Sequence, residues 1–172
     1  MRIIGIDPGL RTTGFGVIEV IEGSTYYVTS GIVTTKVEDS LDLRLKTIFQ
    51  GINTVIKDSK PTIASIEKVF VNVNPQSTLL LGQARGAAIV ACVNNNLSVS
   101  EYTALQVKQS VVGFGHADKQ QVGKMVKQIL KLNGEPKADA ADALAIALTH
   151  LHYSKICKTF NIKNIKGGRL IG

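Results

Sequence analysis

The sequence predicts a single α/β domain in which helices cover a mixed sheet, because strand-type and helix-type patterns alternate along it. Residues 2–8 form a nearly continuous apolar run, which is typical of a strand covered on both faces. Residues 41–56 instead repeat aliphatic side chains at helical spacing. No linker, repeat or low-complexity segment interrupts the 172 residues, and a chain of this length can bury one core.

The order of the elements follows from the same patterns and from the residues that interrupt them. Glu22-Gly23-Ser24 is a hairpin signal between the second and third strands. Ser40 is a suitable N-cap, and Pro61 ends the first helical pattern. The predicted strands occupy five segments: 2–8, 13–22, 25–35, 62–67 and 97–102. The predicted helices occupy five segments: about 41–60, 75–94, 104–112, 119–132 and 137–153.

The end of the chain differs in composition from the rest. We expect residues 1–153 to form the domain and residues 154–172 to form a basic C-terminal tail. The tail carries five Lys and Arg residues and no acid, and it ends Gly-Gly-Arg-Leu-Ile-Gly. A basic, glycine-ended terminus is typical of a solvated end, so the sequence predicts that it is mobile.

The positive charge is confined to one half of the sequence. Residues 1–107 carry nine basic and nine acidic side chains, whereas residues 108–172 carry eleven basic and four acidic ones. The whole net charge of +7 therefore lies in the second half. A one-sided basic half indicates a polyanionic partner such as nucleic acid or an anionic membrane.

The sequence also bears on the cellular compartment. The N-terminus has one basic residue followed by a short apolar run that stops at an acid, which does not resemble a secretory signal. No stretch approaches the ~20 apolar residues that span a bilayer. Cys92 and Cys157 lie in apolar runs without metal or redox spacing, so we expect both to be small buried residues in a reducing compartment. We predict a cytoplasmic protein.

Two acids stand at the ends of strands that are otherwise apolar. Asp7 ends the first strand and Glu67 ends the fourth. If these strands are parallel neighbours, both carboxylates emerge at the same edge of the sheet, where open α/β sheets place their sites. Asp7 has an alternative explanation, because an Asp before Pro8-Gly9 can also cap a turn.

Two further acids share one face of the last helix. Asp139 and Asp142 are three residues apart in a segment rich in alanine, and alanine leaves a helix slim enough to pack closely on a sheet. Acids also favour the first turn of a helix through its dipole, which would explain one Asp better than the pair.

Four carboxylates brought together repel one another and need a cation to stabilise them. Oxygen ligands suit Mg²⁺ or Mn²⁺, and the sequence has no Cys/His arrangement that would indicate zinc. A carboxylate site with two metal ions is suited to phosphodiester cleavage. The basic half of the chain would then supply the phosphate contacts.

Seven short motifs are spread along the chain: IGIDPGL at 4–10, TGFG at 13–16, IEKVF at 66–70, LGQARG at 81–86, VKQ at 107–109, VG at 112–113 and ADAADAL at 138–144. As a set, over residues 1 to about 153 and in this order, they resemble the RuvC family of bacterial crossover junction endonucleases. The resemblance implies a ribonuclease H-like fold with a five-stranded mixed sheet. It also implies a divalent-metal-dependent homodimer that resolves Holliday junctions in recombination and repair by paired symmetric nicks, with the RuvA–RuvB branch-migration complex as a partner.

The resemblance also assigns roles to individual residues. The catalytic and metal-binding tetrad corresponds to Asp7, Glu67, Asp139 and Asp142. Phe70 corresponds to a position at the junction centre, where an aromatic ring can stack on an unpaired base. Lys108 and Lys119 correspond to basic positions that face DNA.

The remaining candidates have more than one interpretation. Gly82, Gly86 and Ala87 give the second helix a flat face, which fits either close core packing or a dimer contact. We assign no catalytic role to the histidines. His150 and His152 are expected near a helix C-terminus, where His is favoured, and His116 lies in a glycine loop.

Two rival functions share parts of this pattern. The residues from Gly5 to Gly16 also resemble the phosphate loop of actin-like ATPases, but those proteins close two copies of the fold on a nucleotide, and this chain has room for one. A DNA-binding module that has lost its chemistry is the other rival. The complete set of four acids argues against it.

Overall fold

The computed structural model of the protein describes residues 1–69, 74–159, 164–166 and 169–171. The strands are β1 (Arg2–Asp7), β2 (Thr12–Ile21), β3 (Ser24–Thr34), β4 (Ile63–Glu67), β5 (Ser98–Tyr102), β6 (Asn164–Lys166) and β7 (Arg169–Ile171). The helices are α1 (Leu41–Ser59), α2 (Pro75–Asn94), α3 (Ala104–Val112), α4 (Lys119–Ile129) and α5 (Ala138–Thr159). Within the described residues, no helix combines the length and the apolar character that crossing a bilayer requires.

The main sheet has five strands in the order β3-β2-β1-β4-β5. β1 pairs antiparallel with β2 and parallel with β4, and β4 pairs parallel with β5. The two parallel connections each contain a helix, as parallel strands require. The predicted five-stranded mixed sheet flanked by helices is therefore confirmed.

The sheet has a different hydrophobic layer on each face. α1 and α2 cover one face, where Ile4 and Ile6 of β1 join the buried aliphatic residues of these helices. α3, α4 and α5 cover the other face, to which Ile3 contributes. Because side chains alternate along a strand, the odd-numbered residues of β1 face α5. Gly5 and Asp7 consequently lie on the α5 side of the sheet.

Glycines allow α5 to lie unusually close to β1 and β2. A Cβ at Gly5 would stand 2.0 Å from the carbonyl oxygen of Ala143 and 2.7 Å from the amide nitrogen of Ala147. Gly16, which pairs with Gly5 across the two strands, would meet Leu144 at 2.6 Å in the same way. Any side chain at these positions would push the helix away from the sheet, so the glycines set the distance between the two layers.

The C-terminal region departs from the predicted boundary at residue 153. α5 continues to Thr159, because Leu151 and Tyr153 still pack on the core and no helix breaker follows them. Within the predicted tail, β6 and β7 pair as a short antiparallel hairpin. The predicted end of the last helix at residue 153 is thus too early, and the division into a domain and a mobile basic tail stays a prediction.

Other departures are smaller. α4 ends at Ile129 rather than at residue 132, since the chain turns at Leu130 and Lys131 takes a left-handed conformation (φ 51°). Cys92 is buried as predicted, but Cys157 is only partly buried because it lies in the last turns of α5, beyond the sheet.

We predict that Gly5→Ala destabilises the protein by about 1–3 kcal/mol or more, as overpacking of a tight core does. The methyl group would collide with the backbone of α5, which cannot move aside as a flexible side chain can. Urea unfolding measures the free energy. Gly134→Ala is the control, because a Cβ there meets nothing within 4 Å. Equal stability of the two variants would contradict the close contact.

Candidate active site

Two acids meet at the carboxyl ends of neighbouring parallel strands. β1 and β4 run in register, with Ile6 beside Ile66, so Asp7 and Glu67 follow one step further along each strand. Ser65 lies on the α5 face, where its hydroxyl donates to the carbonyl of Ile146 over 3.3 Å. Because side chains alternate, Glu67 lies on that face as well. The strands therefore bring both carboxylates to one corner beneath α5.

The first turns of α5 complete an acidic cluster. Gly14, the cross-strand partner of Asp7, is so close to α5 that a Cβ there would lie 2.0 Å from the carbonyl oxygen of Asp139. This contact places the helix directly over the end of β1. Asp7, Asp139 and Asp142 each offer a carboxylate oxygen, and these oxygens all lie within 4.8 Å of one another. Glu67 joins the cluster through a side-chain hydrogen bond with Asp7.

Burial and mutual repulsion disfavour the charged form of these acids. Burial, followed by the negative charges of Glu67 and Asp142, raises the pKa of Asp7 from 3.8 to about 8. Burial also raises the pKa of Glu67. A divalent cation would reverse the effect, because it stabilises the ionised carboxylates. The oxygen-only donor set and the short separations fit a hard ion such as Mg²⁺ or Mn²⁺.

Lysines border the acids on the side of α3 and α4. The ammonium group of Lys119 donates to Asp142 over 3.0 Å, and this contact raises the pKa of Lys119. Lys108 and Lys119 line a cavity of about 140 Å³ together with Asp7, Glu67 and Asp142. The two lysines predicted to face DNA are therefore placed at the edge of the acidic cluster.

Sequence reasoning missed three residues that hold this corner in place. The buried hydroxyl of Thr13 donates to the carbonyl of Gly9 over 2.8 Å, which fixes the turn after Asp7. Arg85 of α2 donates to the main-chain carbonyl of Glu67 over 3.1 Å and pairs with Glu101. Gly14 admits α5. Glycines inside a strand are a signal of close backbone approach, so Gly14 was detectable. The bond of Thr13 spans only four residues, but a Thr at the start of a strand is no specific signal of it. The bonds of Arg85 depend on the tertiary structure.

The other predicted residues lie elsewhere. Phe70 is outside the described residues. His150 and His152 take part in hydrogen bonds within the core layer, with the hydroxyl of Tyr102 at 2.9 Å and with Ser110 at 3.0 Å. His116 lies exposed in the loop before α4. The expected position of His150 and His152 at a helix C-terminus is wrong, because α5 continues to Thr159.

The flat face of α2 does not serve close packing at its glycines. A Cβ at Gly82 or Gly86 would meet nothing within 4 Å. Leu79, Val90 and Val93 of the same helix are also exposed. Of the two interpretations of this face, close core packing is wrong at both glycines, and a dimer contact stays a prediction.

The sequence model of the family described as "Crossover junction endodeoxyribonuclease RuvC" matches residues 3–150. The chain belongs to this family. A RuvC endodeoxyribonuclease of Thiobacillus denitrificans is 58% identical over 172 residues, covering 99% of this chain and 100% of the relative. That of Burkholderia orbicola is 54% identical over 181 residues, with 100% of both chains covered.

A solved structure extends the likeness to three dimensions. Thermus thermophilus RuvC in complex with a Holliday junction substrate is 34% identical and superposes with a TM-score of 0.85, covering 91% of this chain and 96% of that one. The ribonuclease H-like fold is therefore confirmed, and the chain is a nuclease of the RuvC family. The family match favours the nuclease over the ATPase interpretation of the segment from Gly5 to Gly16, because the nuclease family model covers this segment and continues to residue 150.

We predict that Asp7→Asn makes the metal-free protein more stable at about pH 8 than the parent. The pKa of Asp7 is higher in the folded state than its ordinary value, so the parent loses stability as the pH rises from about 4 towards 8. Asn carries no proton to release, and this part of the pH dependence disappears. Thermal melting in EDTA between about pH 5 and pH 8 checks the difference.

Asp58→Asn is the matched control, since Asp58 is exposed in the last turn of α1, at the opposite end of the sheet. Addition of Mg²⁺ should raise the melting temperature of the parent and of the control more than that of Asp7→Asn. A variant that melts like the parent in EDTA at every pH would show that Asp7 carries no destabilising charge.

Proposed function

We propose that this chain resolves Holliday junctions in recombination and DNA repair, by paired symmetric nicks at a site formed by Asp7, Glu67, Asp139 and Asp142. The observation that carries the proposal is the cluster of Asp7, Asp139 and Asp142, with Glu67 lining the same cavity as Asp7 and Asp142. Family membership supplies the reaction class. The junction bound to the Thermus thermophilus relative supplies the substrate class.

The four acids would act together as ligands of Mg²⁺, with Mn²⁺ as a possible substitute. The ions would supply an activated water and would neutralise the oxygen that leaves the scissile phosphate. Asp7 and Glu67 are fixed by the sheet, whereas Asp139 and Asp142 are fixed by the first turns of α5, so the ligands come from rigid elements. Lys119 holds the carboxylate of Asp142 in one orientation.

Two kinds of DNA contact complete the proposal. Lys108 and Lys119, at the edge of the acidic cluster, would contact phosphates. Phe70 follows Glu67 by three residues and would stack on a base unpaired at the junction centre. The proposal for Phe70 rests on its position in the IEKVF motif alone.

A dimer would place two such sites on one junction, as two symmetric nicks require. The exposed apolar residues of α2, with Gly82 and Gly86 beside them, are a surface on which two copies could pack. We place the enzyme in the cytoplasm, with the RuvA–RuvB branch-migration complex as its partner.

The experiment that tests the proposed function compares cleavage of a synthetic four-way junction with cleavage of a linear duplex, with and without Mg²⁺. The parent should nick the junction selectively and only with the ion. Asp7→Asn should lose cleavage, by a factor of about 10² or more, because a lost ligand removes charge stabilisation. It should still bind the junction, since binding is assigned to basic residues. A variant that nicks at the parental rate would reject the assignment of Asp7.

Salt dependence tests the assigned lysines. Log-log plots of junction affinity against salt should be less steep by about one unit for Lys108→Ala and for Lys119→Ala, because each phosphate contact contributes about 0.9. Binding is measured in EDTA to prevent cleavage. Unchanged slopes in both variants would mean that these lysines do not touch the DNA backbone.

Phe70→Ala should lose most junction cleavage while it keeps its melting temperature, because stacking on one base contributes about 1–3 kcal/mol. Phe70→Tyr and Phe70→Trp should recover activity, and Phe70→Leu should recover little, since it has no aromatic face. If Phe70 packs in the core instead, the Ala variant should lose about 3–5 kcal/mol of stability and Leu should be the best tolerated replacement.

A further inference from the structure

A second and larger depression lies beside the acidic cluster, between α4 and the start of α5. It measures about 460 Å³, and we name it the α4–α5 groove. One wall carries the basic side chains of α4, and the other is formed by the first turns of α5 with the turn before them. The lining residues used below are Lys119, Gly123, Lys124, Lys127, Glu135 and Asp142.

The groove is continuous with the proposed active site. Lys119 and Asp142 line both the groove and the smaller cavity that contains Asp7 and Glu67. A chain molecule whose reacting atom lies at the acids could therefore extend directly into the groove. The groove has no assigned role in the proposed function.

The chemistry of the groove suits the backbone of a nucleic acid strand. Lys119, Lys124 and Lys127 face it, and no aromatic side chain is among its lining residues in the described part of the chain. Without an aromatic platform, bases would find no surface on which to stack. Lysine is a flexible point charge that binds phosphate without reading sequence.

The dimensions also fit a short strand segment. Lys119 and Lys127 are eight residues apart in one helix, which corresponds to about 12 Å. One strand of a duplex carries a phosphate about every 3.4 Å along the duplex axis, so this length corresponds to three or four phosphates of a strand in duplex geometry. Gly123 has no side chain to project from α4 between the lysines, and the space that a Cβ would enter there is open, with nothing within 4 Å. A backbone can thus approach α4 closely.

An acid in the groove provides the sharpest test. Glu135 is exposed and lies 3.8 Å from the ammonium group of Lys127. Within the described residues, no acid stands within ion-pair distance of Lys124. Lys124 is therefore available to a phosphate, whereas Lys127 must exchange Glu135 for one.

We propose that the α4–α5 groove binds the sugar-phosphate backbone of the cleaved strand over three or four nucleotides on one side of the scissile phosphate. Lys124 and Lys127 neutralise the phosphates, and Glu135 competes with the phosphates for Lys127. The inference deepens the proposed function and rests on it, because it takes the four acids as the place of cleavage.

The first experiment measures binding of a synthetic four-way junction in EDTA over a range of salt concentrations. The double variant Lys124→Ala/Lys127→Ala should lower the log-log slope by about two units. The matched control is Lys46→Ala/Lys57→Ala, which removes two exposed lysines from α1 on the opposite face of the sheet. A double variant with the slope of this control would overturn the proposal.

Removal of the competing acid should have the opposite effect. Glu135→Gln should tighten junction binding about twofold to fivefold, as expected for release of one exposed ion pair. The gain should vanish when Lys127 is already Ala, because the two effects share one contact. Asp58→Asn, which removes an exposed acid at the far end of α1, should leave the affinity unchanged. A gain that persists without Lys127 would overturn the competition between Glu135 and phosphate.

A second experiment locates the bound phosphates. Junctions with single neutral methylphosphonates along the cleaved strand should bind the parent more weakly at three or four consecutive positions beside the scissile phosphate. At those positions the Lys124→Ala/Lys127→Ala variant should show no further loss. Sensitive positions scattered around the junction would overturn the proposal of one strand segment. So would an altered oligomeric state with normal DNA affinity, which would assign the groove to a protein contact.

The experiments distinguish a failure of the proposed function from a failure of the proposal for the α4–α5 groove. A parent that cleaves linear duplex as readily as the four-way junction would reject junction resolution, and the salt slopes would still decide whether the groove binds a phosphate backbone. Thermal melting of each variant with and without Mg²⁺ confirms that the fold and the acidic cluster are unchanged.

Discussion

The close approach of α5 to β1 and β2 is the contact on which the site depends. Gly5 and Gly16 allow the helix to touch the backbone of the sheet, and Gly14 does the same directly above the end of β1. An ordinary side chain in this layer would separate the helix from the sheet by the width of a methyl group or more. Asp139 and Asp142 would then no longer reach Asp7. The packing of the core and the geometry of the acids are thus a single constraint.

The same contact makes the site electrostatically unfavourable in the absence of a cation. A helix pressed against the sheet removes water from around Asp7, and it adds the charges of two further acids. Burial and the repulsion between the acids together raise the pKa of Asp7. The fold tolerates this unfavourable charge because the aliphatic layers on both faces of the sheet, which contain none of the acids, stabilise it. A stable scaffold therefore holds a corner that a cation would stabilise.

How much of the structure the sequence predicts depends on how far apart in the sequence the interacting residues lie. Strands and helices were predictable because the patterns that form them are local, and Asp7 and Glu67 were predictable because each ends an apolar strand. Their common face did not follow from the sequence, because it depends on the register of β1 with β4 and on the packing of Gly5 and Ser65 against α5. The bond of Arg85 to the main chain of Glu67 joins residues 18 apart in different elements, and no local pattern contains it. The end of α5 was missed because the basic residues after 153 were interpreted as a solvated tail, although no Gly or Pro stands between Ser154 and Thr159.

The basic half of the sequence covers one face of the sheet in the folded protein. Residues 108–172, which hold the whole net charge of +7, include the last five of the nine residues of α3 and the whole of α4 and α5. These are the helices that cover the face of the sheet on which Asp7 and Glu67 lie. The helices of the opposite face come from the balanced half of the sequence. One layer therefore combines the positive charge that attracts a polyanion with two of the acids that would otherwise repel it. Lys119, paired with Asp142 and bordering both the cavity and the groove, stands where these two requirements meet.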